Sequence, residues 1–282
     1  VIGAVTGVDL DTRFVTVPGR APIGYDLLSI DIGIHSEMPE IPGFSEFSVA
    51  AKPLDRFADA WARFVDDGGG PVAVIGAGVA GAELSLAAAH RLQTSTGQAD
   101  VTLIDRGAVL DGMHPKAKAR LLNELSHAGI RLLPSETVAQ VTADRVELAS
   151  GTIVPSTFTL GVAGARPHLW LADTGLRLNK GYITVDTHLR SVSHPEVFAA
   201  GDCADLAFDP RPKAGVFAVR AAPVLLRNLR ALAMGREADL LSFRPQRDYL
   251  KLIGRPIPKL PGVGRHLLLG ILETDSLVHK LI

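Results

Sequence analysis

Pro71-Val72-Ala73-Val74-Ile75-Gly76-Ala77-Gly78-Val79-Ala80-Gly81-Ala82-Glu83 is the stretch whose reading decides the fold. Val72 to Ile75 is a short apolar run of the kind that makes a buried strand. Gly76, Gly78 and Gly81 follow in G-x-G-x-x-G spacing, and an alanine-rich run from Val79 to about Leu92 reads as a helix. That order of strand, glycine turn and helix start is the setting in which the spacing marks a dinucleotide-binding turn. Gly76 permits the tight turn, Gly78 lets a diphosphate approach the backbone, and Gly81 lets the helix pack close to the strand. The free N–H groups of Val79, Ala80 and Gly81, with the positive end of the helix dipole, would then face the phosphates. The plainer alternative is a glycine-containing strand-to-helix turn in some other α/β protein.

The next strand narrows that choice. Val101–Ile104 is a second apolar run, closed by Asp105. A carboxylate at that strand end can accept both hydroxyls of a ribose and repel a 2′-phosphate, which favours NADH over NADPH. Arg106 beside it could instead receive a 2′-phosphate. The acid arrives later than the usual ~20 residues, and Thr94–Asp100 reads as a polar loop insertion that accounts for the delay.

Composition describes an ordinary globular chain of 282 residues, 47% hydrophobic, with a net charge of −1. That length suits about two domains. There is no basic run and no interleaving of basic with aromatic residues, so nothing points to a nucleic-acid partner. One cysteine, Cys203, excludes an internal disulfide, a Cys-x-x-Cys redox pair and a cysteine zinc cluster within these residues. Cys203 reads as a small buried filler, and His114 and His127 as surface or capping residues rather than ligands. No apolar run approaches the ~18 residues of a membrane span, and no signal peptide opens the chain. A reducing, cytoplasmic setting fits.

An internal repeat organises the rest. Ala4–Leu10, Arg13–Val17 and Ala21–Ile23 read as three short strands with turns at Asp11-Thr12 and Pro18-Gly19, followed by a strand, Tyr25–Gly33, that ends on a glycine. The same order recurs in Thr137–Thr142, Arg145–Ala149 and Thr152–Val154, followed by Phe158–Gly164. The second copy is preceded by the glycine-turn unit; the first opens on Val1, not Met. The repeat therefore predicts two dinucleotide-binding domains, the first with its βαβ head outside these residues. Between them, Asp55–Val65 is an amphipathic helix with Phe57, Trp61 and Phe64 or Val65 on one face, and Asp66–Gly70 reads as a flexible link. Pro115–Ala128 is a further helix, Ile130–Leu133 a strand, Tyr182–Val185 an alternating strand, and Ala214–Met234 a long helix stopped by Gly235. The expected domains are residues 1–66, 67–166 and 167–240, with a tail at 241–282 in which Leu267–Ile282 is an amphipathic helix.

Together these residues resemble the two-dinucleotide-binding-domain flavoproteins of the pyridine nucleotide–disulfide oxidoreductase superfamily. The resemblance rests on Gly76–Glu83, on the two glycine-ended strands, and on Val197-Phe198-Ala199-Ala200-Gly201-Asp202-Cys203-Ala204. The wording Tyr25-Asp-Leu-Leu-Ser-Ile-Asp-Ile-Gly33, with Lys213–Ala218 and Arg244-Pro245-Gln246, is most similar to type II NADH dehydrogenase-like proteins, including the flavoprotein module fused ahead of selenophosphate synthetase. The resemblance implies an α/β fold of two Rossmann-like, glutathione-reductase-type domains, with the NAD(P)H domain inserted into an FAD domain. It implies FAD and NADH as cofactors. It assigns Asp202, with Gly201, to a ribitol hydroxyl of FAD, and Gly33, Lys52, Ala214 and Gly215 to the flavin side. Ala163 and Gly164 fall to the nucleotide side. Lys213 would add positive charge near the reduced flavin, and Glu83 would sit near the nicotinamide and relay a proton. Each has a plain alternative: a turn cap for Asp202, solvated lysines for Lys52 and Lys213, and a first-turn helix acid for Glu83.

The implied reaction is hydride transfer from NADH to flavin, then electron transfer to a quinone or another small acceptor, with no redox disulfide. The competing reading is a non-catalytic module that binds nucleotide or docks a partner. The tail leaves room for attachment to the inner face of a membrane, and a homodimer is compatible with all of this.

Overall fold

The structure is a computed structural model that describes residues 3–36, 40–162 and 164–246. The described residues divide into two compact units: residues 3–35 together with 166–246, and the stretch Ser36–Ala165.

The first unit opens with β1 (Gly7–Asp9), β2 (Phe14–Thr16) and β3 (Ile23–Gly24), an antiparallel meander, followed by β4 (Leu28–Ile30). The second unit then runs through α1 (Phe44–Phe47), β5 (Ser48–Ala50), α2 (Leu54–Asp66), β6 (Val72–Ile75), α3 (Val79–Thr96), β7 (Val101–Ile104), α4 (Pro115–His127) and β8 (Arg131–Leu133). A second meander, β9 (Val138–Val141), β10 (Arg145–Leu148) and β11 (Ile153–Pro155), leads to β12 (Phe158–Gly161). The chain returns to the first unit with β13 (Leu178–Asn179), β14 (Tyr182–Thr184), β15 (Val197–Ala199), β16 (Ala204–Asp205) and α5 (Gly215–Ala233). The two meander-plus-strand copies are both present, in the same order.

The second unit is a Rossmann-type layer structure. Its sheet is parallel throughout, in the order β5-β12-β6-β7-β8. Every residue of β6, β7 and β12 is buried. That is why these strands read as unbroken apolar runs: helices cover both faces of a parallel sheet. α2 packs with Phe57, Trp61 and Val65 in the core, and Trp61 meets the Phe158 ring edge-on at 5.3 Å. α4 contributes Leu121 and Leu125. Each such side chain is worth about 1.5–3 kcal/mol of burial.

Three expectations change. Thr94–Thr96 is helix, not loop, because Thr94 and Thr96 hydroxyls bond back to the carbonyls of His90 and Leu92, and the helix ends only at Gly97. The delay before Asp105 is a longer helix. Asp66–Gly70 is a hydrogen-bonded turn rather than a link: the N–H groups of Asp67, Gly68 and Gly69 close on Arg63, Val65 and Phe64. Residues 36–66, grouped from the sequence with the first domain, pack in the second unit, where β5 is the sheet edge and α2 joins the core.

In the first unit β4 and β15 pair in parallel, Ile30 opposite Ala199. Val197, Phe198 and Ala199 are fully buried under α5 residues Ala221 and Leu225. Asn228 on α5 is also fully buried. Its Nδ2 donates to the carbonyls of His188 and Leu241, both at 2.9 Å, and its Oδ1 accepts the Leu241 N–H at 2.7 Å. Asn228→Ala takes a partner from three backbone groups, of which the Leu241 carbonyl keeps the His188 ring nitrogen at 3.1 Å, and is expected to cost about 2 kcal/mol, read as a lower urea midpoint at an unchanged slope. No helix among the described residues is long and apolar enough to cross a membrane. The amphipathic helix expected at Leu267–Ile282 lies outside the described residues.

Candidate functional site

The parallel strands β6, β7 and β12 place Gly76, Asp105 and Gly164 along one edge of the second unit's sheet, the carboxyl edge where α/β folds bind ligands. Ala163 lies outside the described residues. The glycine turn at that edge is held on every side. Gly76 takes a left-handed conformation (φ 110°) and its N–H bonds to the Ile104 carbonyl at 2.8 Å. The Ala77 N–H donates to Asp105 Oδ2 at 2.5 Å, and the Ala77 carbonyl accepts the Leu110 N–H at 2.8 Å. A Cβ at Gly81 would collide with the Gly76 carbonyl oxygen, so helix α3 approaches the strand as closely as a backbone can.

The turn is open where a ligand would enter. Gly78 and Ala80 are exposed, and a Cβ at Gly78 would meet nothing within 4 Å. Gly78 caps α3 without a side-chain hydrogen bond, so the first-turn N–H groups of Val79, Ala80 and Gly81 are not consumed by a cap.

Asp105 is drawn inward. Besides Ala77, it accepts the Gly107 N–H on Oδ1 at 2.7 Å. The sequence reading gave this carboxylate to a ribose alone; here it also splints the glycine turn. A carboxylate has about four acceptor sites, so ribose contact remains open to it. Arg106 is exposed beside it, and Glu83 is half-buried in the second turn of α3. Lys52 belongs to this unit too, its N–H bonded to Ser36 Oγ, and so does not share a unit with Asp202.

The first unit carries its own candidate edge. After β15 the chain passes Ala200 into Gly201-Asp202-Cys203, and after β4 it passes Asp31 to Gly33. Gly201 is left-handed (φ 70°), and a Cβ there would run into the Asp31 carboxyl oxygen. Asp31 was missed from sequence. The signal is an acid placed directly after a strand, at its carboxyl end. Asp31 is exposed as a residue, with one carboxyl oxygen packed against Gly201; that partial cover, and then the charge of Asp202, push its carboxyl above the usual carboxylate range. Helix α5 opens at Gly215 with Ala214 as a cap that makes no side-chain hydrogen bond. A bare α-carbon, two acids and free helix-end N–H groups along one edge fit a flavin dinucleotide's polyol and anionic portions.

A cavity of about 440 Å3 adjoins this edge, lined by Gly201, Asp202, Tyr182, Lys213, Ala214 and Phe217 among others. Lys213 Nζ donates to the Ala204 carbonyl at 2.5 Å and lies 4.0 Å from the centre of the Tyr182 ring. Burial pulls its ammonium below the ordinary lysine range, opposed by Asp202 and Asp205. It is a held cation in a half-buried site, not a solvated lysine. Cys203 behaves as expected of a filler: it is fully buried, donates to Ile30 and Ala200 carbonyls, and burial pushes its thiol up to about 11. His114 caps α4 by accepting the Lys116 N–H, as its position suggested. Among the described residues no group of three or more His, Cys, Asp or Glu side chains could hold a metal.

Residues 1–222 match the family model described as pyridine nucleotide-disulphide oxidoreductase. An NADH dehydrogenase-like protein of Mycobacterium tuberculosis is 29% identical over 223 residues, which cover 74% of this chain and 56% of that one. A nitric oxide reductase FlRd-NAD(+) reductase of Salmonella heidelberg is 27% identical over 209 residues, 72% of this chain and 52% of its own. Among solved structures, a water-forming NADH oxidase from Lactobacillus brevis, bound to NADH, superposes with a TM-score of 0.66 at 26% identity, over 80% of this chain and 52% of that one. The chain spans about half the length of the curated relatives it matches.

Proposed function

Because the chain belongs to the pyridine nucleotide-disulphide oxidoreductase family, we propose that it acts in an FAD-dependent NADH oxidoreductase that reduces a small acceptor such as a quinone. The observation that carries this reading is the open, pre-fixed glycine turn with free amides at the start of α3. Flavin, when bound, would supply the hydride-accepting and electron-donating centre between NADH and the acceptor. The chain's own residues do the rest. Val79, Ala80 and Gly81 N–H groups hold the coenzyme diphosphate, and Asp105 orients the turn and reaches a ribose hydroxyl. Asp202 accepts from the flavin polyol. The α5 amino end and Lys213 favour negative charge as it develops on the flavin. Cys203, buried and protonated, is no nucleophile, which favours a route without a redox disulfide.

NADH is preferred over NADPH on the strength of Asp105, with Arg106 the residue that blurs it. The test is a visible-absorption scan of the purified natural-length protein. A yellow protein bleached by anaerobic NADH, and restored by a water-soluble quinone, is the expected result. A colourless protein that still binds NADH would replace the enzyme by a nucleotide-binding module.

A further inference from the structure

Asp31 and Asp202 stand at the carboxyl ends of two neighbouring parallel strands. Ile30 and Ala199 are register partners, and the Ala200 N–H bonds to the Ile30 carbonyl at 3.1 Å, so the residues that follow leave the sheet side by side. The Asp31 carboxyl rests on the bare α-carbon of Gly201, one residue from Asp202. Two carboxylates so placed repel each other, and both repel an anion brought to the same edge. A dinucleotide brings a diphosphate. The flavin reading supplies the anion, and the following inference rests on that reading.

We propose that Asp31 makes cofactor binding proton-linked: the flavin dinucleotide is held with Asp31 as the neutral acid beside Asp202. A neutral carboxyl is a donor, an ionised one only an acceptor. Protonation of Asp31 then gives the edge a donor for the polyol and removes one negative charge from the path of the diphosphate. Among the described residues, the titratable groups whose charge couples to Asp31 are Asp202 and Cys203. Asp202 faces it from the turn after β15. The Cys203 thiol, buried in the same turn, feels Asp31 as negative charge. Lys213, ahead of α5, faces Asp202 and Asp205 and balances Asp202 rather than Asp31. The raised titration of Asp31 agrees with this placement. The sign follows from linkage: a carboxyl that titrates higher when folded removes stability as pH rises from its unfolded value through its folded one. An anionic ligand raises it further, so affinity falls over the same direction of pH.

Two measurements test this. Carboxyl carbon NMR, with Asp31 assigned by its loss in Asp31→Asn, should show it titrating above the usual range in the wild type and nearer that range in Asp202→Asn. FAD titration, followed by quenching of flavin fluorescence from pH 5.5 to 8.5, should show affinity falling up to about tenfold per pH unit above the Asp31 titration. Asp31→Asn should bind with a flat profile and at least about tenfold more tightly than wild type at the alkaline end. Asp31→Ala serves if the amide variant folds poorly, and it should also be flat. Ordinary titration of Asp31, or a variant profile that overlays the wild type, overturns the proposal. Unchanged affinity in Asp202→Asn, or no FAD binding at any pH, instead overturns the flavin reading on which it stands, and the proposal falls with it.

Discussion

Gly81→Val is expected to reduce NADH affinity by about 100-fold or more, equivalent to about 3 kcal/mol, and to lower stability by about 1–3 kcal/mol as an overpacked core contact does. The added Cβ alone collides with the Gly76 carbonyl, a backbone atom that cannot rotate away. The turn or the helix must move, and either shift breaks the set of N–H groups proposed to hold the diphosphate. Gly78→Ala separates binding from folding. Its Cβ meets no protein atom within 4 Å and its φ of −71° suits alanine. That variant should keep its urea midpoint and still lose affinity, since the methyl group occupies the path of the phosphate. Coenzyme titration by nicotinamide fluorescence, beside urea denaturation, reads both. Equal NADH binding in the wild type and Gly78→Ala would remove the diphosphate from this bend.

The second large effect is at Asp105. Removal of its side chain in Asp105→Ala strips the acceptor from two backbone N–H groups, Ala77 and Gly107. Hydrogen bonds to a charged group are worth about 1.5–3 kcal/mol each, so a stability loss of about 2 kcal/mol or more is expected. The coenzyme should bind about 10–100-fold more weakly because the turn is no longer fixed in advance. NADH should lose more than NADPH, because only NADH also loses a ribose partner and NADPH is relieved of repulsion at its 2′-phosphate. Asp105→Asn should fall between, with one oxygen left for one of the two amides. Parallel losses for the two coenzymes would make Asp105 a splint alone.

The site was legible in proportion to how far local rules decide it. Strands β6 and β7 fall on Val72–Ile75 and Val101–Ile104 as the apolar runs suggested, because a sheet buried on both faces tolerates nothing else. The glycines follow from sterics within six residues. Helix α3 outruns its apolar pattern: threonines usually weaken a helix, and the back-bonded hydroxyls of Thr94 and Thr96 with the Gly97 stop are visible only in three dimensions. The inward turn of Asp105 and the meeting of Asp31 with Gly201 share one cause. Each joins residues brought together by strand pairing across long stretches of sequence, 28 residues for Asp105 and Ala77. The cage around Lys213, made by Tyr182 from a hairpin and Ala204 from a short strand, was hidden for the same reason.

His35 and Arg166 exchange both backbone hydrogen bonds, each 2.9 Å long, and His35 Nε2 lies 3.0 Å from His168 Nδ1. These are the residues at which the chain leaves the first unit and re-enters it. Departure and return therefore share a single doorway. A segment bounded in that way could be cut out between these two points with the His35–Arg166 hydrogen bonds kept.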